Sequence, residues 1–135
     1  DEERFNKLLP PARALGSAFQ KVNFLRDIKS DIDERGRIYI PGADNFAKVN
    51  NQNKLLLENE IEKEFKIALS GIKDLPKSSR IGVYSAYLYY YILFKKIRSM
   101  NVDDLLSKRV RISNLTKISL LIKSLLRVKL TNAIE

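Results

Sequence analysis

The chain has 135 residues, of which 44% are hydrophobic and 30% are charged, and its formal net charge is +9 at pH 7. This length and apolar content suffice for one folded domain with a buried core. Because the chain contains neither Cys nor His, a zinc site is not expected, and the absence of Cys fits a cytosolic enzyme.

The positive charge is concentrated in the second part of the chain. Residues 1–79 carry 14 Lys and Arg against 13 Asp and Glu, whereas residues 80–135 carry 11 against 3. Such a surplus suits a phosphate-rich substrate, the anionic face of a membrane, or nucleic acid. Composition alone leaves these three interpretations open.

The first part of the chain predicts helices separated by Pro and Gly. Residues 2–9 have the pattern of a helix that the Pro10 and Pro11 pair terminates, and a second helix is predicted from there to about Glu34, where Gly36 stops it. Residues 37–41 are predicted to be extended, and residues 42–52 to form a polar loop.

The next predicted helix covers about residues 53–75, where Pro76 ends it. Apolar residues recur in it at helical spacing, so one face is expected to pack in the core. That stripe consists of Leu57, Ile61, Phe65, Ala68 and Ile72.

A strongly apolar helix is predicted over about residues 80–100, with Ser78 or Ser79 as its N-cap. Its apolar run, residues 81–94, is shorter than the ~20 residues that cross a bilayer, so the helix is expected to be buried in protein. Asp103 is predicted to cap a short helix that ends near Val110, and an amphipathic helix should cover about residues 114–132.

The second predicted helix has one polar face. At 100° per residue, Gln20, Asn23, Asp27 and Asp31 fall within an arc of roughly 80°. Asn23, Asp27 and Asp31 follow one another at spacings of four with no Lys or Arg in the series. Surface helices, in contrast, commonly pair an acidic residue with a basic residue four positions away. Two carboxylates one turn apart suit a hard divalent cation, Mg²⁺ with Mn²⁺ as a substitute, and the alternative is a solvated acidic face. The opposite face carries Leu15, Ala18, Val22, Leu25 and Ile32.

The residues around this pair form a longer pattern, QxxNxxRDxxxD followed by RxYxP. It resembles the second aspartate-rich motif of the squalene and phytoene synthase family, the head-to-head prenyl transferases. The segments GVYSAYLYYYILFKKI and RVRI are similar to the bacterial phytoene synthase branch. The matching positions of the motif are Gln20, Asn23, Arg26, Asp27, Asp31, Arg37, Tyr39 and Pro41.

The resemblance implies an all-α fold of the isoprenoid-synthase type with about four to six helices. It also implies that residues 1–135 are the C-terminal part of a single prenyl transferase domain. The reaction would join two prenyl diphosphates, most simply geranylgeranyl diphosphate, to phytoene with Mg²⁺ and without NADPH. Squalene or dehydrosqualene synthesis within the same family is the alternative product assignment.

The resemblance also assigns roles to residues. Asp27 and Asp31 would be catalytic and would hold metal together with Asn23, and Gln20 would complete or orient the metal shell. Arg37 and Arg109 would bind phosphate oxygens, Tyr90 falls at the position of a pocket tyrosine, and Arg26 is expected to pair structurally.

One departure from the family pattern is the absence of a second DxxxD in these residues. We therefore expect the first aspartate-rich motif to lie upstream of these residues and the fragment alone to be inactive. We also expect the fragment to expose an apolar groove through which isolated chains self-associate. Peripheral contact of a cytoplasmic protein with a membrane fits the basic surplus, and no nucleic acid partner is expected. Other classes in view are a helical membrane- or RNA-binding module without catalysis and a catalytically inactive interaction protein.

Overall fold

The computed structural model describes residues 1–40 and 46–131. Over these residues it confirms the all-α class, with six helices and one small antiparallel sheet. The elements are α1 (Glu2–Arg26), α2 (Ile28–Asp31), β1 (Arg37–Tyr39), β2 (Phe46–Lys48), α3 (Asn51–Ile72), α4 (Lys77–Arg98), α5 (Val102–Ser107) and α6 (Asn114–Thr131).

The core lies where α1 packs along α3, with α4 against both helices. All five residues of the predicted stripe on α3 are buried, and so are Ala18, Val22 and Leu25 on the inner face of α1. Helical spacing of apolar residues was therefore sufficient to identify both packing faces.

A polar cluster fixes α1 against α3 beside this core. The Lys21 Nζ atom lies 2.6 Å from Glu64 Oε1 and 3.2 Å from Glu60 Oε2. Ser17 donates a second hydrogen bond of 2.7 Å to the same Glu64 oxygen. Burial lowers the pKa of Lys21, but hydrogen bonds to Glu64 and Glu60 outweigh it and leave the pKa above its ordinary value.

The predicted break at Pro10 and Pro11 is wrong, because α1 runs through both prolines. Proline in a helix interior removes a backbone hydrogen bond and disfavours the helix. Here Asp74 stabilises the turns before the prolines. Arg4 donates a hydrogen bond of 2.8 Å to the Asp74 carbonyl, and Lys7 forms an ion pair of 2.9 Å with the Asp74 carboxylate. Tertiary contacts with the turn that follows α3 therefore support the first turns of α1.

The predicted end of this helix near Glu34 is also wrong. α1 ends at Arg26, Asp27 is the junction at φ −98° and ψ 11°, and α2 ends at Asp31. Asp33 organises the turn that follows by accepting bonds of 2.9 Å from the Arg35 amide and 2.8 Å from the Arg37 amide. The bond from the Arg37 amide is the main cause of a lowered pKa at Asp33.

The small sheet follows this turn. Gly36 has a φ of +74°, which glycine adopts without steric cost. β1 then pairs with β2, Arg37 opposite Lys48, so the extended prediction is confirmed for residues 37–39. β2 falls in residues 42–52, the segment predicted as loop, and α3 takes the last two residues of that segment. Residues 41–45, which include the end of the extended prediction and the start of the loop prediction, lie outside the described residues.

Three helix starts differ from prediction. α3 begins at Asn51, capped by the Asn50 side chain, which accepts from the Asn53 amide at 2.8 Å. α4 begins directly after Pro76, so neither predicted serine caps it. Asn101 caps α5 in place of Asp103, because its side chain accepts a hydrogen bond of 2.9 Å from the Asp104 amide.

α4 is buried over only part of its circumference. Tyr84, Tyr87, Leu93, Phe94 and Ile97 are buried, and burial raises the pKa of Tyr87 to about 12. The three tyrosines at positions 89–91 are only partly buried. Across the described ranges, no helix combines the length and hydropathy needed to cross a bilayer.

The contact between Gly71 on α3 and Pro11 on α1 yields a stability prediction. A Cβ atom on Gly71 would lie 2.3 Å from Pro11 Cβ, and the proline ring cannot turn aside. Gly71→Ala should therefore lower the free energy of unfolding by about 1–3 kcal/mol, measured by denaturant titration. Gly82→Ala is the control, because its Cβ meets nothing within 4 Å and alanine favours a helix by about 0.5–1 kcal/mol. Equal stability of the two variants would contradict the tight packing.

Candidate functional site

Asp27 lies at the junction of α1 and α2 between two arginines. Its Oδ1 and Oδ2 atoms accept bonds of 3.3 Å from Arg26, and Oδ1 lies 3.2 Å from Arg109 Nε. The hydrogen bond to Asp27 is the main cause that raises the pKa of Arg26 above its ordinary value. The helix junction is thereby joined to the segment that follows α5.

The segment at residues 108–113 presents its arginines by alternation. Val110 and Ile112 are buried, whereas Arg109 and Arg111 are exposed. Successive side chains of an extended chain point to opposite sides, so the buried pair anchors the segment and the arginines point away from the core. The RVRI sequence thus supplies two guanidinium groups to one surface.

These arginines border a cleft of about 290 Å³, which we call the basic cleft. Four of its lining residues are cationic, and the only carboxylate in ion-pair contact with them, within the described residues, is that of Asp27. The Lys117 Nζ atom lies 5.6 Å from the centre of the Tyr89 ring, so α6 contributes a cation held over an aromatic face. The lining residues are Arg26, Tyr89, Arg109, Val110, Arg111, Ile112, Asn114 and Lys117.

Asn23 lies one turn before Asp27 and contacts α4. Its Nδ2 atom donates 3.2 Å to the Tyr90 hydroxyl, and the Tyr90 ring stacks on Phe19 at a centroid distance of 4.0 Å. Its Oδ1 atom is buried, and no described residue donates a hydrogen bond to it. A buried acceptor without a partner costs about 1–3 kcal/mol, so this oxygen is suited to a ligand.

The oxygen atoms present fit part of a hard-metal site. Within the described part of the chain, Asn23 Oδ1 lacks a donor, and the exposed Asp31 carboxylate has no hydrogen bond or ion pair. Carboxylate and amide oxygens are the ligands that Mg²⁺ prefers. Over residues 1–40 and 46–131, however, no three acidic residues form a metal-binding group.

The structure brings together four of the seven residues predicted for the site. Asn23 forms a hydrogen bond with Tyr90, and Asp27 forms an ion pair with Arg109. Gln20 and Asp31 are exposed.

Arg37 makes its contacts away from the basic cleft. It pairs with Asp33 at 3.2 Å, and its guanidinium lies 5.4 Å from the centre of the Phe46 ring. Its side chain is therefore held against the turn and the small sheet.

Several residues of the basic cleft were not predicted. Arg26 was assigned only a structural pairing, whereas Arg111 and Lys117 were not assigned to any site. The alternation within RVRI could have identified Arg111. Asn114 and Lys117 reach the cleft only because α6 packs on α4, which no local pattern reveals.

Comparison with known proteins identifies one family model, squalene/phytoene synthase, that matches residues 1–116. The chain is similar to 15-cis-phytoene synthase of Synechocystis sp., with 34% identity over 106 residues, which cover 68% of this chain and 31% of that protein. It is also similar to the chloroplastic phytoene synthase of Cucumis melo, with 33% identity over 122 residues, 79% of this chain and 28% of that protein.

The chain thus spans about a third of the length of the curated relatives that it matches. Among solved structures, no significant match was found.

The charge of the basic cleft predicts anion binding. Lys117→Ala should weaken binding of inorganic diphosphate about tenfold, since a hydrogen bond to a charged group is worth about 1.5–3 kcal/mol. Isothermal titration in the presence of a chelator would measure this affinity without metal. Lys123→Ala is the matched control, because Lys123 is exposed on the same helix outside the cleft. Equal affinities of the two variants would contradict the assignment of the cleft.

Proposed function

The chain belongs to the squalene/phytoene synthase family, and we propose that the full-length protein joins two prenyl diphosphates head to head. The substrate is geranylgeranyl diphosphate and the product is phytoene, with release of two diphosphates. The observation that carries the proposal is the basic cleft of about 290 Å³ beside Asp27. It places cationic donors next to the motif that the family resemblance identified.

The difficult step is the departure of diphosphate from an allylic carbon. Negative charge develops on the leaving oxygens, and fixed cations lower the barrier by stabilising that charge as it forms. Arg109 and Arg26 can bind phosphate oxygens while Asp27 holds their orientation. Arg111 and Lys117 supply further positive charge, and within the described part of the chain neither side chain pairs with a carboxylate.

Asn23, Asp27 and Asp31 are proposed to hold Mg²⁺, for which Mn²⁺ can substitute. The ion, when bound, neutralises part of the diphosphate charge. The unpaired Asn23 Oδ1 atom supports this assignment. Tyr90 orients the Asn23 amide through its 3.2 Å bond, and exposed Gln20 can complete the metal shell through water. Facing carboxylates are proposed to come from a part of the protein outside this chain.

The apolar side of the site must exclude water from the carbocation. The stacked rings of Phe19 and Tyr90 lie next to Asn23, and π faces stabilise a passing cation. Water would otherwise capture the cation as an alcohol.

The bonds of the reaction balance in two stages. In the first, one allylic diphosphate ionises and alkylates the other, giving a cyclopropylcarbinyl diphosphate, free diphosphate and a proton. In the second, the remaining diphosphate departs, the cation rearranges to a 1′–1 bond, and loss of a proton gives phytoene.

Two other assignments remain as proposals. Arg37 is the weaker candidate for a phosphate contact, because its ion pair with Asp33 would have to open. The isolated chain is proposed to be inactive. Its self-association stays a prediction.

Neutralising either aspartate of the motif should remove activity without unfolding the protein. Asp27→Asn and Asp31→Asn should each lower turnover by about a hundredfold or more, the usual effect of removing one electrostatic contact from a transition state. Turnover of the full-length protein with Mg²⁺ measures the effect, and helical circular dichroism checks the fold. Asp103→Asn, in an exposed turn of α5, is the control with unchanged turnover. Normal turnover of both motif variants would refute the assignment.

The product depends on whether a reductant is needed. Squalene formation requires NADPH, whereas phytoene and dehydrosqualene formation does not. We expect full-length protein to convert labelled geranylgeranyl diphosphate to hydrocarbon without NADPH. The control is farnesyl diphosphate under the same conditions, which tests the dehydrosqualene alternative. A strict requirement for NADPH would contradict the proposed product.

A further inference from the structure

Tyr89 on α4 lies between the two sides of the candidate site. Its side chain lines the basic cleft, where the Lys117 Nζ atom of α6 lies 5.6 Å from the centre of its ring. The same ring meets the Tyr90 ring edge to face, at a centroid distance of 5.2 Å and an interplanar angle of 89°. Tyr89 therefore contacts a residue of the cationic side and a residue of the proposed metal side. The family resemblance assigned a role to Tyr90 and none to Tyr89.

On the cationic side, the face of the Tyr89 ring restricts where the Lys117 ammonium group can lie. Lys117 is exposed, and the long stem of a lysine side chain is flexible. The ring quadrupole attracts a cation and thereby favours conformations that keep the ammonium group over the ring. A side chain that is already held in place loses less conformational freedom when it binds an anion. Tyr89 thus prepares Lys117 for an anion in the basic cleft.

On the other side, Tyr89 helps to fix the ring of Tyr90. That ring stacks on Phe19 at a centroid distance of 4.0 Å and has Tyr89 edge to face with it, and both arrangements are favoured between aromatic rings. A ring held by two neighbours presents its hydroxyl at one place, where it accepts the 3.2 Å hydrogen bond from Asn23 Nδ2. Because the amide nitrogen is the donor to Tyr90, the amide oxygen of Asn23 is left for a different partner.

We propose that Tyr89 is a positioning residue that holds Lys117 for diphosphate and Tyr90 for the proposed metal ligand Asn23. This inference rests on the proposed function, because it names how the two sides of that same site are joined. Tyr89 acts through its two neighbours and has no need to contact diphosphate or metal itself. Removal of its ring should therefore weaken each side only while the neighbour on that side is intact.

A double-mutant cycle on diphosphate affinity tests the cationic side. Isothermal titration of the full-length protein with inorganic diphosphate, in the presence of a chelator, measures this affinity without metal. Tyr89→Leu should weaken binding about threefold, the size expected for loss of one exposed cation–π contact. Tyr89→Phe keeps the ring and should bind like the unmodified protein. In a Lys117→Ala background, Tyr89→Leu should have little further effect, because residues that act together are not additive.

Tyr91 provides a matched control on the same helix. It is also partly buried, and the Lys95 Nζ atom lies 5.6 Å from the centre of its ring. Tyr91→Leu therefore removes an equivalent pair of ring and cation from a position that does not line the basic cleft. This variant should bind diphosphate like the unmodified protein. Circular dichroism and thermal unfolding of all variants verify the fold.

The Mg²⁺ dependence of turnover tests the second side. With labelled geranylgeranyl diphosphate, Tyr89→Leu should raise the Mg²⁺ concentration for half-maximal turnover about threefold, within the range expected for loss of one aromatic pair. Tyr90→Phe removes the hydroxyl that accepts from Asn23. In that background, Tyr89→Leu should raise the Mg²⁺ requirement no further. Tyr91→Leu should again resemble the unmodified protein.

The outcomes distinguish failure of this inference from failure of the proposed function. If the unmodified protein binds diphosphate and forms hydrocarbon, but Tyr89→Leu resembles Tyr91→Leu, Tyr89 has no positioning role. Effects of Tyr89→Leu that persist in the Lys117→Ala and Tyr90→Phe backgrounds would also overturn the inference, because they would show that Tyr89 does not act through these neighbours. An effect in only one of the two cycles would contradict the two-sided role. If the unmodified protein neither binds diphosphate nor forms hydrocarbon, the proposed function fails and this inference fails with it.

Discussion

The ion pair between Asp27 and Arg109 joins two parts of the chain on which the candidate site depends. Asp27 is the C-cap of α1, and Arg109 belongs to the extended segment after α5, so neither alone defines a site. Both side chains are partly exposed, and an ion pair of this kind contributes only about 0–1 kcal/mol to stability. Its importance is positional, because it orients guanidinium groups at the edge of the basic cleft.

Positive charge and packing act together around this pair. Val110 and Ile112 bury the segment that presents Arg109 and Arg111, and the docking of α6 on α4 adds Lys117. The cleft therefore carries more positive charge than Asp27 can balance. An anion is the natural partner of such a site, and diphosphate is the one that family membership favours.

The proposed metal-binding side of the site is less complete than the proposed phosphate-binding side. Among the described residues, Asn23 offers a buried oxygen without a donor, yet no three acidic side chains are grouped so that they could hold a metal ion. A chain that spans about a third of its curated relatives has room for the missing ligands elsewhere in the protein. An active site shared between this chain and another part of the protein remains our proposal.

The sequence by itself determined the helical class, the packing faces of α1 and α3, and the family, because these depend on local spacing and on a motif within one segment. It could not show that α1 continues through its two prolines, because contacts of the first turns of α1 with Asp74 support that part of the helix. It also missed Lys117 as a cleft residue and the pairing of Arg37 with Asp33. Only the tertiary structure decided these points, because they depend on which distant segments meet, and periodicity along one helix carries no information about its neighbours.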